Sequence, residues 1–234
     1  MTEAVEIFRG FVEHGVPASR EDETLRDYLE RVDVLDRGFT WAELVSPRAH
    51  NKQAPERWLR NRTIGGWRNF ARVIALANVL RERALLEVPG LRHLTIAAAY
   101  RPTGGAANSA HKEAAALDID AHKGADLKAW YRCAVKLWCE LGQPDDDPSR
   151  PGTVPFGLGL YTWAGKVGPF AVRSGYRVHI DVGARAGTRS WQGVGRKFLR
   201  PHRLEDRSGR SSYYGLPVLL AVEQGLDVPS LRDL

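Results

Sequence analysis

Cysteine is almost missing from this chain. Among 234 residues only Cys133 and Cys139 are cysteines. At their spacing on one helix they face different sides, so a local disulfide is not expected. No cysteine cluster offers a thiolate metal site, and both residues read as buried, reduced thiols. Long apolar runs are missing too. None approaches the about 18 residues that a membrane-spanning helix needs, so no membrane span is expected. The amino terminus, MTEAVEIFRGFVEHG, carries acids early and lacks a basic head followed by an apolar stretch. It does not read as a signal peptide, and action outside the cytoplasm would need another delivery route. Internal repeats and low-complexity tracts are absent as well. The apolar share, 43%, is ample for a packed core and argues against global disorder.

Charge is only modestly unbalanced: 34 Lys and Arg against 28 Asp and Glu give +6. The excess is uneven. Between Arg185 and Arg210 lie Arg189, Arg196, Lys197, Arg200, Arg203 and Arg207, opposed by Glu205 and Asp206. The plainer reading is a solvated loop. The sharper one is a contact for an anionic polymer, nucleic acid or acidic glycan, but no recognised nucleic-acid-binding motif supports the former. Nothing in the sequence specifies an oligomeric state.

The first third reads helical. Ser19 is a candidate cap for a helix through TLRDYLERV, and Thr40 with Glu43 fits a capping box at the start of WAEL. From Asn69 onward Phe70, Val73, Ile74, Ala77, Leu80 and Ala84 recur at helical spacing until Pro89-Gly90. The period then changes. LTIAAAY, 94–100, reads as a strand, and RPTGGAANSAH as a turn-rich loop. AALDIDA alternates, Leu117 and Ile119 on one face and Asp118 and Asp120 on the other, with helix as the rival reading because alanine favours it. Lys128 to Leu141 reads as a helix striped by Trp130, Ala134, Leu137 and Leu141, and PDDDPSRPG as a solvated linker. GLGLYTW leads into a glycine-rich stretch. SGYRVHIDVG alternates again, Tyr176, Val178, Ile180 and Val182 against Arg177, His179 and Asp181. A last helix is expected over 213–225.

Two strands therefore each turn a polar face, with His111 in the loop before the first. If the strands are neighbours, His111, Asp118 and His179 converge. Two imidazoles and one carboxylate suit zinc, with a fourth position left for water, which is the catalytic rather than the structural pattern. Each residue alone is weak; a lone histidine beside a strand is more often a packed or surface side chain. His122 and His202 could be spare ligands, with solvated side chains the favoured reading; His14, His50 and His93 have no partner motif.

SAHKEAAALDID resembles the Ser-x-His-x-x-Gly-x-Ala-x-Asp motif of the zinc D-alanyl-D-alanine carboxypeptidase family, which also holds D-Ala-D-Ala dipeptidases and phage endolysins. Ser109, His111, Ala116 and Asp118 fall on matching positions. Ala114 stands at the family's glycine, a change expected to tighten the turn. Upstream, Tyr100 and Arg101 match the family's Ser-Gly-Tyr-Arg-Ser segment. Downstream, GLGLY…SGYRVHIDVG…RSW resembles the Gly-Ile-Gly-x-Tyr…Val-His-Val-Asp-x-Gly…Trp ending of the His-Val-Asp branch. The resemblance spans about Leu94 to Trp191.

The resemblance implies roles. His111, Asp118 and His179 would hold zinc, and Arg101 would pair with a substrate carboxylate or polarise its carbonyl. Tyr100 and Ser109 would contact the peptide, although Ser109 could equally only shape the loop. Many members carry a general-base carboxylate three residues before the last histidine; here that position is Tyr176. Asp181 is the nearest substitute, as base or as a group orienting His179. Asp120 has the same choice, with orientation favoured, and Glu113 is a third base candidate. Trp163 and Trp191 could line a cleft, with core packing the safer reading.

The expected architecture is α+β: a small, mostly antiparallel sheet carrying the zinc site and flanked by helices. A helical amino-terminal extension (1–88) would pack on a peptidase-like domain (89–195), followed by a basic loop and helix (196–234). The implied function is zinc-dependent hydrolysis of peptidoglycan stem peptides at the cell wall, after phage-type release or secretion. The alternative is a non-catalytic zinc-bearing module of a phage or secretion particle.

Overall fold

The computed structural model describes residues 2–45, 66–101, 109–122, 124–137, 156–161, 164–167, 170–173 and 177–182. Several sequence expectations fall outside these residues: Tyr176, Trp163, Trp191, Cys139, Leu141, His50, His202, the acidic linker, the arginine-rich segment 185–210 and the helix over 213–225.

Three short helices open the chain: α1 (Glu3–Glu13), α2 (Leu25–Arg31) and α3 (Trp41–Val45). The cap of α2 is Thr24, not Ser19. Thr24 Oγ1 accepts the Asp27 N–H at 3.2 Å while Asp27 Oδ2 accepts the Thr24 N–H at 3.2 Å. This reciprocal pair satisfies two amide donors at once, which Ser19, further upstream, cannot do. The box expected at Thr40 and Glu43 is present: Glu43 accepts the Thr40 N–H at 2.9 Å, and Thr40 Oγ1 accepts the Glu43 N–H at 3.3 Å.

The long helix α4 (Gly66–Glu87) begins a turn earlier than its apolar pattern suggests. Phe70, Val73, Ile74, Ala77, Leu80 and Ala84 are all buried. The helix ends at a turn in which Gly90 takes φ 72°, and a Cβ there would lie 2.6 Å from the Gly124 carbonyl oxygen. Both the dihedral and the close approach require glycine. A further helix, α5 (Leu127–Leu137), packs on α4 and buries Trp130, Cys133, Ala134 and Leu137.

The protein combines these helices with a small antiparallel sheet. Strands β1 (Leu94–Ala98), β2 (Ala116–Ala121), β3 (Gly157–Tyr161) and β6 (Arg177–Asp181) form it in the order β1-β2-β6-β3, with every neighbouring pair antiparallel. Strands β4 (Ala164–Val167) and β5 (Phe170–Arg173) form a separate antiparallel ribbon. β1 is shorter than expected. Its register shifts between Ile96 and Ala98, and beyond Ala98 the backbone turns to bond with the His111 segment instead.

Alternation along β2 and β6 is as the sequence predicts. Leu117, Ile119, Val178 and Ile180 are buried in the core against which α4 packs. A single cluster of buried apolar side chains runs from Ala4 through α4 to Val182, so the amino-terminal helices and the sheet share one core. Among the described residues no helix is long and apolar enough to cross a membrane.

Candidate metal centre

The polar face of the sheet follows from register alone. Asp118 pairs with His179, which sets Ala116 opposite Asp181 and Asp120 opposite Arg177. On the far side of β6, Gly157 pairs with Asp181 and Gly159 with His179. Glycine at both positions adds no side chain beside the polar pair.

His111 arrives from outside the sheet, on a 3-10 turn (Ala110–Glu113) just before β2. Three hydrogen bonds fix it. Its carbonyl accepts the Arg101 N–H at 2.9 Å, Asn69 Nδ2 of α4 donates to the Glu113 carbonyl at 3.2 Å, and the Ala99 carbonyl lies 2.7 Å from His111 Nδ1. A carbonyl can only accept, so Nδ1 carries a proton, and in the neutral imidazole Nε2 presents a lone pair. Nε2 is buried, has no hydrogen-bond partner, and lies 3.4 Å from Asp118 Oδ1. The turn closes at Ala114, which takes the left-handed conformation with φ 55°. Glycine would adopt that conformation without strain, so the alanine at this position carries a backbone cost.

His179 completes the group. Its Nδ1 lies 2.8 Å from Asp118 Oδ1, and its Nε2 faces Asp181 Oδ2 at 3.3 Å. The second contact is an ion pair rather than an aligned hydrogen bond, since Asp181 Oδ2 has no aligned donor. His179 thus sits between two carboxylates, one at each ring nitrogen. The two imidazoles meet edge to face with centroids 5.2 Å apart. All four side chains are nearly sealed: His111 is 2% exposed, Asp118 5%, His179 9% and Asp181 1%.

The electrostatics match this geometry. Burial by itself would raise the Asp118 pKa, but His111 and His179 hold it well below the ordinary carboxylate value. Burial likewise opposes charge on His179, yet Asp118 and Asp181 raise its pKa to about 9. In the absence of a metal, a doubly protonated His179 therefore supplies the positive charge between the two carboxylates.

Two buried atoms in this arrangement, His111 Nε2 and Asp181 Oδ2, make no hydrogen bond. When His111 is neutral, an unprotonated nitrogen and a carboxylate oxygen, two acceptors, face each other at His111 and Asp118. Leaving a buried acceptor unmatched costs about 1–3 kcal/mol, and a cation between the two removes that cost. The ligand atoms of His111, Asp118 and His179 lie within 4.8 Å of one another. The group can hold a metal ion, and its two nitrogens and one oxygen fit one. His111 also has the outer hydrogen bond to a carbonyl that orients metal-bound histidines.

The other expected residues take these places. Arg101 follows β1, with its backbone bonded to His111, and its Nε is buried without a hydrogen-bond partner. Tyr100 is half-buried against the core, and burial raises its pKa. Ser109 caps the 3-10 turn through its carbonyl, which accepts the Lys112 N–H, while its side chain makes no capping bond. Asp120 does not reach a histidine: Arg177 holds it, Nε to Oδ1 at 2.8 Å and the terminal nitrogen to Oδ2 at 3.0 Å. His122 is committed to backbone, its ring nitrogens 2.9 Å from the Arg92 and Gly124 nitrogens, and it stacks on His93.

Sequence reasoning missed three contributors. The Ala99 carbonyl and Asn69 carry no motif signal. Arg177 was legible: once Asp118 is set opposite His179 in an antiparallel pair, Asp120 must stand opposite Arg177.

Comparisons with known proteins identify no relative: no family model matches, no curated protein matches, and no solved structure matches.

Proposed function

We propose that this protein is a zinc-dependent peptidase acting on peptidoglycan stem peptides, of the D-Ala-D-Ala carboxypeptidase or endopeptidase type. The observation that carries the reading is the unpartnered, buried His111 Nε2 beside Asp118 and His179, within the ordered Arg101, Ser109, His111, Asp118, His179 series of the resembled family. Two imidazoles with one carboxylate favour zinc over hard cations, which prefer oxygen ligands.

His111 Nε2, Asp118 and His179 Nδ1 would hold the ion, and zinc there supplies Lewis acidity together with a water acidic enough to ionise near neutral pH. Asp181 faces Nε2 of His179, on the ring edge away from Asp118, and is sealed from solvent. That place suits it to orienting the imidazole more than to taking a proton from a reacting water. Arg101 offers a guanidinium without an intramolecular hydrogen bond at Nε, next to the metal turn, and is the group to clamp a peptide carboxylate or carbonyl. Ser109 and Tyr100 would contact the peptide.

A second reading is a zinc-bearing module without turnover, in a phage or secretion particle. It is favoured by Tyr176 at the family's base position and by the sealed position of Asp181.

The test is metal analysis of the purified chain with mass spectrometry of products from defined peptidoglycan fragments. One equivalent of zinc, cleavage of the stem peptide, and loss of both in His111→Ala are expected. Hydrolysis that persists in His111→Ala removes the proposed site. Stoichiometric zinc with no cleaved fragment selects the second reading.

A further inference from the structure

Beside the metal group lies an ion pair that neither metal binding nor peptide hydrolysis accounts for. β2 places Asp118 and Asp120 on one face, about 6.5–7 Å apart along the strand. Asp-x-Asp on one face presents two carboxylates to the same side. With water, such a set suits hard oxygen-seeking cations such as manganese, magnesium or calcium. Yet the group able to hold an ion contains only Asp118 from this strand.

Asp120 is instead held by Arg177. It stands opposite Asp120 in the register and is the residue two before His179 on the same face of β6. Its fork takes both Asp120 oxygens, at 2.8 and 3.0 Å. The pair is mostly shielded, with side-chain exposures of 16% and 20%, so solvent screening is reduced and the bidentate geometry holds the carboxylate in one orientation. We infer that Arg177 is a specificity-determining residue for the metal: it sequesters Asp120 and keeps the ligand set at two imidazoles and one carboxylate.

The inference rests on the metal reading of His111, Asp118 and His179. Its rival is a plain cross-strand pair that only strengthens the sheet. The two differ in what happens when Asp120 is released rather than removed. Release frees a second carboxylate, on the same strand face as Asp118, to turn toward the ion; removal does not.

The test uses the full chain, stripped of metal by chelator, with cobalt as a coloured stand-in for zinc and manganese as competitor. The wild-type chain should bind one cobalt with the strong visible absorption of a four-coordinate site. Arg177→Met should weaken that absorption as coordination number rises. It should also reduce the preference for zinc over manganese by about 10-fold or more, the scale on which groups just outside a metal's ligands act. Asp120→Asn should keep the wild-type spectrum and preference, and Asp120→Asn with Arg177→Met should restore them. Arg177→Lys keeps the charge but loses the fork. It should shift both readouts in the same direction by less, and it carries the test if the methionine variant does not fold.

A wild-type spectrum and preference in both Arg177 variants overturns the inference. So does a double variant no better than Arg177→Met, which makes the pair only structural. A wild-type chain that binds no cobalt removes the metal reading itself, a result distinct from normal wild-type binding with unresponsive variants.

Discussion

The two faces of β2 and β6 are made from the same ten or so residues, and they differ in almost everything but burial. One face presents Leu117, Ile119, Val178 and Ile180 to the core. The other presents Asp118, His179 and Asp181, each no more than 9% exposed. Apolar burial contributes about 1.5–3 kcal/mol for each large side chain. Burying a charge is unfavourable unless it is paired. The apolar face thus accounts for the fold, and the polar face adds what the fold does not need. Its pairing is incomplete at two buried atoms, His111 Nε2 and Asp181 Oδ2, and the first lies in the group that can hold an ion.

The sharpest way to break this comparison is to remove one residue from each face. Asp118→Ala leaves a buried imidazolium without its main counter-charge, and a loss of about 3–5 kcal/mol is expected. Ile119→Ala leaves a cavity on the opposite face and should cost a similar amount, about 2–5 kcal/mol. Metal stoichiometry should separate them: none bound by the first variant, one equivalent retained by the second at temperatures where it is folded. Denaturant unfolding with parallel metal analysis measures both. Loss of metal from Ile119→Ala would show that the faces are not independent.

Next in size is the response to pH. The His179 pKa is raised from 6.5 to about 9 in the folded, metal-free protein. Its contribution to stability is therefore fully present below pH 6.5 and is lost as pH rises through 9. Asp118 is shifted below 3.8, so its contribution is present above that pH and is lost as pH falls further. The metal-free protein should be most stable between these limits, as far as this group decides it. Metal binding should run the other way between pH 6.5 and 9, tightening as pH rises, because the His179 Nδ1 proton must leave before a metal can take its place. Thermal melts in chelator and in zinc across this range would show opposite slopes, and parallel slopes would argue against His179 as a ligand.

Asp181→Asn probes the far side of the same ring and should act more weakly. The amide keeps the volume and removes the negative charge facing His179 Nε2. A 10- to 100-fold loss of metal affinity is expected, with the fold intact. Unchanged affinity, measured by chelator competition, would leave Asp181 without an orienting role and return it to the list of proton acceptors.

Much of the polar face was readable from sequence, because strand alternation converts spacing directly into sidedness. Asp118 with Asp120, and His179 with Asp181, could be assigned to shared faces before any coordinates. The strands β3, β4 and β5 were not readable. Glycine-rich GLGLY lacks the β-branched run that signals a strand, and its pairing to β6 comes from tertiary context that local preference does not encode. The cap of α2 is ambiguous in sequence because Ser19, Asp22 and Thr24 all have capping chemistry, and the reciprocal bond with Asp27 decides among them. The hold of Ala99 on His111 is a backbone contact, which no side-chain pattern records.

The smallest expected effect concerns the turn that presents His111. Ala114 is fully buried and takes φ 55°, where an L side chain is strained by about 1–2 kcal/mol. Ala114→Gly removes that strain. It also restores conformational freedom to the unfolded chain, worth about 0.4–1 kcal/mol, and deletes a buried methyl worth about 0.8 kcal/mol. The terms nearly cancel, so the net change should stay within about 1 kcal/mol, or about 4 °C in Tm for a chain of this size. Metal affinity should stay within a few-fold of wild type, because His111 remains tied through the Ala99 carbonyl and the Arg101 amide. A large loss of affinity with unchanged Tm would mean that the methyl at 114, rather than those two hydrogen bonds, sets the imidazole's position.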